Sequence, residues 1–227
     1  MKKILLPALA LFLTTAAEAA DHPLWMRYCT LSPDGETIAF CYQGDIYTVP
    51  ADGGKAIQLT THPAHDTRPV WSPDGKQIAF ASNRNGNFDL FLIDKTGGVP
   101  RQLTSHSADE YPETFRDPQH ILYTASIQSD ASDSQFPSSL FPQVYEISTS
   151  GGRPALFSSL AMEHLSFDPS GTRLLYNDIK GYEDPWRKHH RSSITRDIWL
   201  CSLGQERQFR KITAFRGEDR NPIWTAD

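Results

Sequence analysis

Cysteine is scarce, with three in 227 residues, too few for a disulfide framework in a chain this long. A surplus of positive charge is also lacking. Lys and Arg number 22 against 27 Asp and Glu, a net charge of −5. Without spare cations to neutralise phosphates, the chain is not read as a nucleic-acid binder. No segment sustains a helical period of apolar residues. Beyond Leu13 no apolar run is long enough to cross a bilayer. Hydrophobic residues make up 39% and aromatic residues 11%, which excludes general disorder.

The first twenty residues have the form of an export signal. Lys2 and Lys3 precede the apolar run Ile4 to Leu13, and Ala17-Glu18-Ala19 presents small residues where a signal peptidase reads them. The pattern predicts residues 1–19 as signal peptide, with cleavage after Ala19 and Ala20 as the near alternative. The expected location is periplasmic or otherwise extracytoplasmic, with no membrane span after cleavage. Disulfides are permitted there. Cys29 and Cys41 flank a predicted hairpin and could meet across two strands if the register matched; the plainer reading is two small buried strand residues. Cys201 has no evident partner.

The remainder repeats. Leu31-Ser32-Pro33-Asp34-Gly35 leads to Ile38-Ala39-Phe40, Asp45-Ile46-Tyr47, Gly53-Gly54 and Leu59-Thr60. Forty residues on, Trp71-Ser72-Pro73-Asp74-Gly75 leads to Ile78-Ala79-Phe80, Asp89-Leu90-Phe91, Gly97-Gly98 and Leu103-Thr104. A worn copy starts at Phe115-Arg116-Asp117-Pro118, a fourth at Phe167-Asp168-Pro169-Ser170-Gly171, and a fifth opens at Pro222-Ile223-Trp224. Pro-Asp-Gly is turn chemistry, because Pro fixes φ, Asp bonds its own backbone and Gly takes φ > 0. The short runs rich in Ile, Phe, Tyr and Trp beside it read as strands. One repeat is thus four antiparallel strands and three turns, and roughly 40–45 residues with four strands is the arithmetic of a β-propeller blade. A β-sandwich would not need the same turn tetrapeptide in every unit. The fold class is therefore all-β, a propeller of four-stranded blades over residues 24–227, with repeats at 31–70, 71–114, 115–166 and 167–222 and a fifth from 223. First strands are expected at both ends, Arg27 to Leu31 and Arg220 to Trp224. This leads us to expect about four and a half repeats of a longer six- or seven-bladed propeller; a four-bladed ring with a short tail is the alternative.

Ser-Pro-Asp-Gly-x-x-Ile-Ala-Phe, then Asp-Ile-Tyr, Gly-Gly and Leu-Thr, resembles the repeat shared by the TolB propeller and the tricorn-type proteases. Two features tilt the resemblance towards tricorn-like proteins: the propeller follows the signal directly, and the insertion Gly181 to Arg191 runs into Arg196-Asp197-Ile198-Trp199-Leu200. The resemblance implies a large protein in which propellers precede a PDZ-like module and a C-terminal serine-peptidase core of the S41 type. Catalytic residues would then lie beyond residue 227, and this segment is expected to be non-catalytic.

The residues themselves agree with that expectation. No Gly-x-Ser-x-Gly occurs, and the Ser of each Ser-Pro-Asp-Gly is explained by its turn. His62-Pro63-Ala64-His65-Asp66 reads as a polar loop between blades, since Pro63 prevents a helix from presenting both histidines. The recurrent Asp45, Asp89 and Asp197 are read as turn-linked structural residues. No metal or other cofactor is expected.

Arg187, Lys188, His189, His190 and Arg191 concentrate positive charge in an acidic chain, beside Tyr182 and Trp186. Such a cluster could hold the C-terminal carboxylate of a peptide, a role the resemblance gives to basic residues on the propeller side. The competing reading is a solvated loop paired with Glu183 and Asp184. Ser126 to Pro142 is a Ser-rich loop with no assigned role. The expected partner is a peptide or protein substrate, with self-association possible. The rival function is a TolB-like periplasmic protein-binding propeller without catalysis.

Overall fold

The computed structural model describes residues 25–127, 142–181 and 193–224. The expected signal peptide lies outside them.

Among the described residues sixteen strands run in chain order: β1 (Arg27–Leu31), β2 (Thr37–Tyr42), β3 (Asp45–Pro50), β4 (Ile57–Gln58), β5 (Asp66–Trp71), β6 (Gln77–Ser82), β7 (Asp89–Asp94), β8 (Arg101–Gln102), β9 (Glu110–Asp117), β10 (His120–Ala125), β11 (Gln143–Ser148), β12 (Ala155–Ser158), β13 (Met162–Phe167), β14 (Arg173–Asp178), β15 (Ile198–Leu203) and β16 (Arg207–Lys211). They form four antiparallel sheets, each made of four consecutive strands in sequence order. These are propeller blades, and no helix occurs among the described residues.

Side-chain bonding explains why the turn tetrapeptide recurs. In the second blade the Ser72 hydroxyl donates to Asp74 Oδ1 at 2.7 Å and accepts from the Gln77 N–H at 2.9 Å. The first blade repeats this with Ser32, Asp34 and Thr37. Gly75, at φ +65°, closes the turn on the Ser72 carbonyl. In the fourth blade Asp168 replaces the serine, and its Oδ1 accepts from both the Thr172 and Arg173 N–H groups.

The second signature, Asp at the start of the third strand with Leu-Thr at the fourth, has its own logic. The hydroxyls of Thr60, Thr104 and Thr213 accept from the N–H of Ile46, Leu90 and Ile198. Each satisfies a donor at the start of a third strand, where the ladder is not yet closed. Asp45 accepts from Gln58 and Thr60, Asp89 from Gln102, and Asp197 from Lys180.

Alternation along the second strand feeds two interblade cores at once. Ile78 and Phe80 pack towards the first blade with Ala39, Ile46 and Trp71. Ala79 joins Leu90, Leu92, Phe115, Ile121 and Tyr123 towards the third. Leu122, Val144, Met162, Leu174 and Tyr176 fill the third seam. Burial between blades is what a lone blade cannot supply.

The fifth repeat differs from expectation in one respect: no strand is assigned over 220–224. No described second strand pairs with it there. Its packing is nonetheless that of a first strand, because Trp224 Nε1 donates to the Ser166 carbonyl at 2.9 Å as Trp71 Nε1 donates to that of Thr30 at 3.3 Å.

The cysteines are free. Cys41 stands opposite Arg27 and Ala39 opposite Thr30, so the irregularity between Arg27 and Thr30 places Cys29 across from Phe40 rather than Cys41. Cys41 joins Ala39 in the first seam. The plainer reading holds for it alone, because Cys29 is exposed.

Candidate functional site

The first strands of successive blades touch one another, β1 with β5, β5 with β9 and β9 with β13, so they gather at the propeller axis. Each carries a bulge at the same register, between Arg27 and Thr30, Thr67 and Val70, Pro112 and Thr114, and Glu163 and Ser166. The bulged residue adopts positive φ at Tyr28 (+52°), Arg68 (+53°) and His164 (+54°), and Asn221 (+56°) follows suit. That region is uncommon for residues other than glycine. In β9 the position is Pro112, whose ring forbids positive φ. Bulges re-aim side chains and cluster near functional sites. Here Tyr28, Arg68, His164 and Asn221 all line one axial cleft of about 1370 Å³, together with Tyr111, Glu113, Glu163 and Arg196.

Two carboxyl groups on β9 are strongly perturbed. Burial pushes Glu113 up to about 7, against the opposing pull of Arg68, the Thr124 hydroxyl and the His164 N–H. Burial also raises Glu110 to about 7, with the neighbouring Asp89 charge adding to the effect. Glu110 lies in the seam, and neither of its oxygens has a partner in hydrogen-bonding geometry among the described residues. Across the cleft, Arg196 bonds Glu163 and lies 3.6 Å from Glu218, which Arg220 also pairs. Desolvation holds the His164 imidazole below its ordinary value, Glu163 opposes this, and the nearby Arg220, Arg68 and Arg196 reinforce it.

The predicted substrate residues Arg187, Lys188, His189, His190 and Arg191 lie outside the described residues. What the structure gives is the root of their insertion: Ile179, Gly181 and Arg196 line the cleft. His62 is occupied in its own loop, with Nδ1 accepting from the Ala64 N–H at 3.0 Å, and Asp66 is taken by Arg84. No group of three or more His, Cys, Asp or Glu suited to a metal ion occurs among the described residues.

Sequence reasoning missed the axial residues. The available signal was a proline before the turn in three of the five repeats, in Arg68-Pro69 and Asn221-Pro222, with Pro112 displaced by one. Proline is tolerated in strands mainly at edges and bulges.

Comparison with known proteins places this geometry. The tricorn protease homolog 1 of Streptomyces coelicolor is 32% identical over 82 residues, which is 36% of this chain and 8% of that protein. The crystal structure of the tricorn protease superposes with a TM-score of 0.65 at 16% identity, covering 87% of this chain and 19% of that one. TolB from Acinetobacter baumannii superposes with a TM-score of 0.60 at 16% identity, covering 86% and 45%. The chain spans about half or less of the curated relatives it matches. A family model described as the tricorn protease N-terminal beta propeller domain matches residues 23–227, and the chain belongs to that family.

Proposed function

We propose that this chain is the N-terminal propeller segment of an exported tricorn-like serine peptidase of the S41 type. In this reading it gates or orients peptides for a catalytic core outside these residues. The observation that carries the reading is the family match over 23–227. The axial cleft adds physical sense, since first strands converging on an open, polar-lined space give a peptide a route bounded by side chains. Arg187, Lys188, His189, His190 and Arg191 are proposed to hold the substrate's terminal carboxylate, on an insertion rooted at Gly181 beside that cleft.

The test is charge reversal in the full-length protein, Arg187→Glu with Lys188→Glu, read on cleavage of short peptides. The expected result is a raised KM for peptides with a free C-terminus and an unchanged KM for their amides. Equal kinetics on both would remove the carboxylate role. Absence of any peptidase activity in the full-length protein would remove the enzyme reading itself. The alternative, a TolB-like protein-binding propeller, rests on the shared fold, with a TM-score of 0.60 to TolB against 0.65 to the tricorn protease. It predicts a protein partner and no hydrolysis.

A further inference from the structure

Arg68 stands apart from the other charges of the axial cleft. Its guanidinium carbon lies 4.2 Å from the Tyr111 ring centroid and 5.7 Å from that of Tyr28. These rings belong to the blades on either side of its own. Beyond these ring contacts the guanidinium makes no hydrogen bond or close ion pair among the described residues, while its charge acts at longer range on Glu113.

The carboxylates lining the same cleft take their hydrogen bonds from other groups. Glu113 Oε1 accepts from the Thr124 hydroxyl at 3.1 Å, and Oε2 from the His164 N–H at 2.9 Å. Asp109 Oδ1 accepts from the Phe88 N–H at 3.0 Å. Glu163 is bonded by Arg196. The positive φ of Arg68, repeated at Tyr28, His164 and Asn221, is the backbone feature that brings it to the cleft. Non-glycine residues in that region cluster at ligand sites. A guanidinium against aromatic faces keeps its N–H edge pre-organised, and that edge matches the two oxygens of a carboxylate.

We infer that Arg68 anchors an anion site in the axial cleft that takes a carboxylate group, with the ligand lying against Tyr28 and Tyr111. The carboxylate belongs either to a peptide or to a free organic acid, since the chemistry is shared. The site is distinct from the Arg187 to Arg191 cluster. It is built by the first three blades alone and does not depend on a peptidase core.

The experiment uses the full-length protein and three probes: N-acetyl-trialanine as free acid, the same peptide as its C-terminal amide, and acetate. Arg68 modification by phenylglyoxal is followed by peptide mapping, and binding by calorimetry. The free acid should slow Arg68 modification about tenfold while the amide leaves it unchanged. Arg68→Gln should weaken binding of the free acid about tenfold, and Arg153→Gln, in an exposed loop, should leave it unchanged. Acetate protecting as well as the peptide acid would support the carboxylate site and identify a free organic acid as its source. Equal protection by acid and amide, protection by none of the three, or unaltered acid binding by Arg68→Gln would overturn the inference. The protection measurement in the unmodified sequence keeps the test valid if Arg68→Gln does not fold.

Discussion

Arg84 grips Asp66: its Nη2 lies 2.9 and 3.0 Å from the two carboxylate oxygens of an aspartate with no solvent exposure. The guanidinium also bonds Ser82 and lies 4.4 Å from the Phe91 ring centroid. Removing one partner of such a pair leaves a buried charge uncompensated. Arg84→Ala is therefore expected to cost about 3–5 kcal/mol, read as a lower urea midpoint. An unchanged midpoint would show that the pair contributes nothing to stability.

One blade on, the same register holds Glu110, opposite Ala125 where the second blade has Ser82. Two residues later Ile127 stands where Arg84 would be. The cation has been lost and the acid kept. Facing Glu110 are Asp89, Thr104 and Tyr123. Its folded-state value is raised from 4.5 to about 7, so the native chain holds a proton that the unfolded chain releases. The stability this proton supplies is complete below pH about 4.5 and is lost as pH rises to about 7. Its size is about 3 kcal/mol. Glu113 titrates in the same direction, also near 7. Glu110→Gln should therefore flatten part of the fall in urea stability between pH 5 and 8. A slope identical to that of the unaltered protein would contradict the assignment.

The repeated turn makes a smaller and separable prediction. Ser72→Ala removes the acceptor of the Gln77 N–H and the donor to Asp74. The expected loss is about 1–2 kcal/mol, measured by thermal unfolding. Burial opposes ionisation of Asp168, but bonds from Ser170 and Arg173 outweigh it and hold the group at about 2. The fourth turn should therefore weaken only as pH falls from about 4 towards 2.

The blades were legible because their signals are local. Ser-Pro-Asp-Gly, the alternating apolar runs and Gly-Gly each declare a strand end within a few residues. The axial site was not legible, because it is assembled from Tyr28, Arg68, Pro112, His164 and Asn221, each in a different repeat, which meet only when blades stack. Arg68 carries little signal of its own: a single arginine before a proline, with Tyr28 and Tyr111 in other repeats. The basic run from Arg187 to Arg191 was conspicuous for the opposite reason, its charges being contiguous. Glu110 would have been found by comparing Arg84 with Ile127 across aligned repeats, a difference that reads as ordinary until burial gives it meaning.

The central claim is that this propeller serves a larger peptidase, and the mass of the native protein in its source cells tests it most directly. An antibody against this segment should detect a species of roughly 100 kDa or more, too large for one domain. A species near or below the 25.5 kDa of this sequence would contradict the claim and leave a self-contained binding propeller.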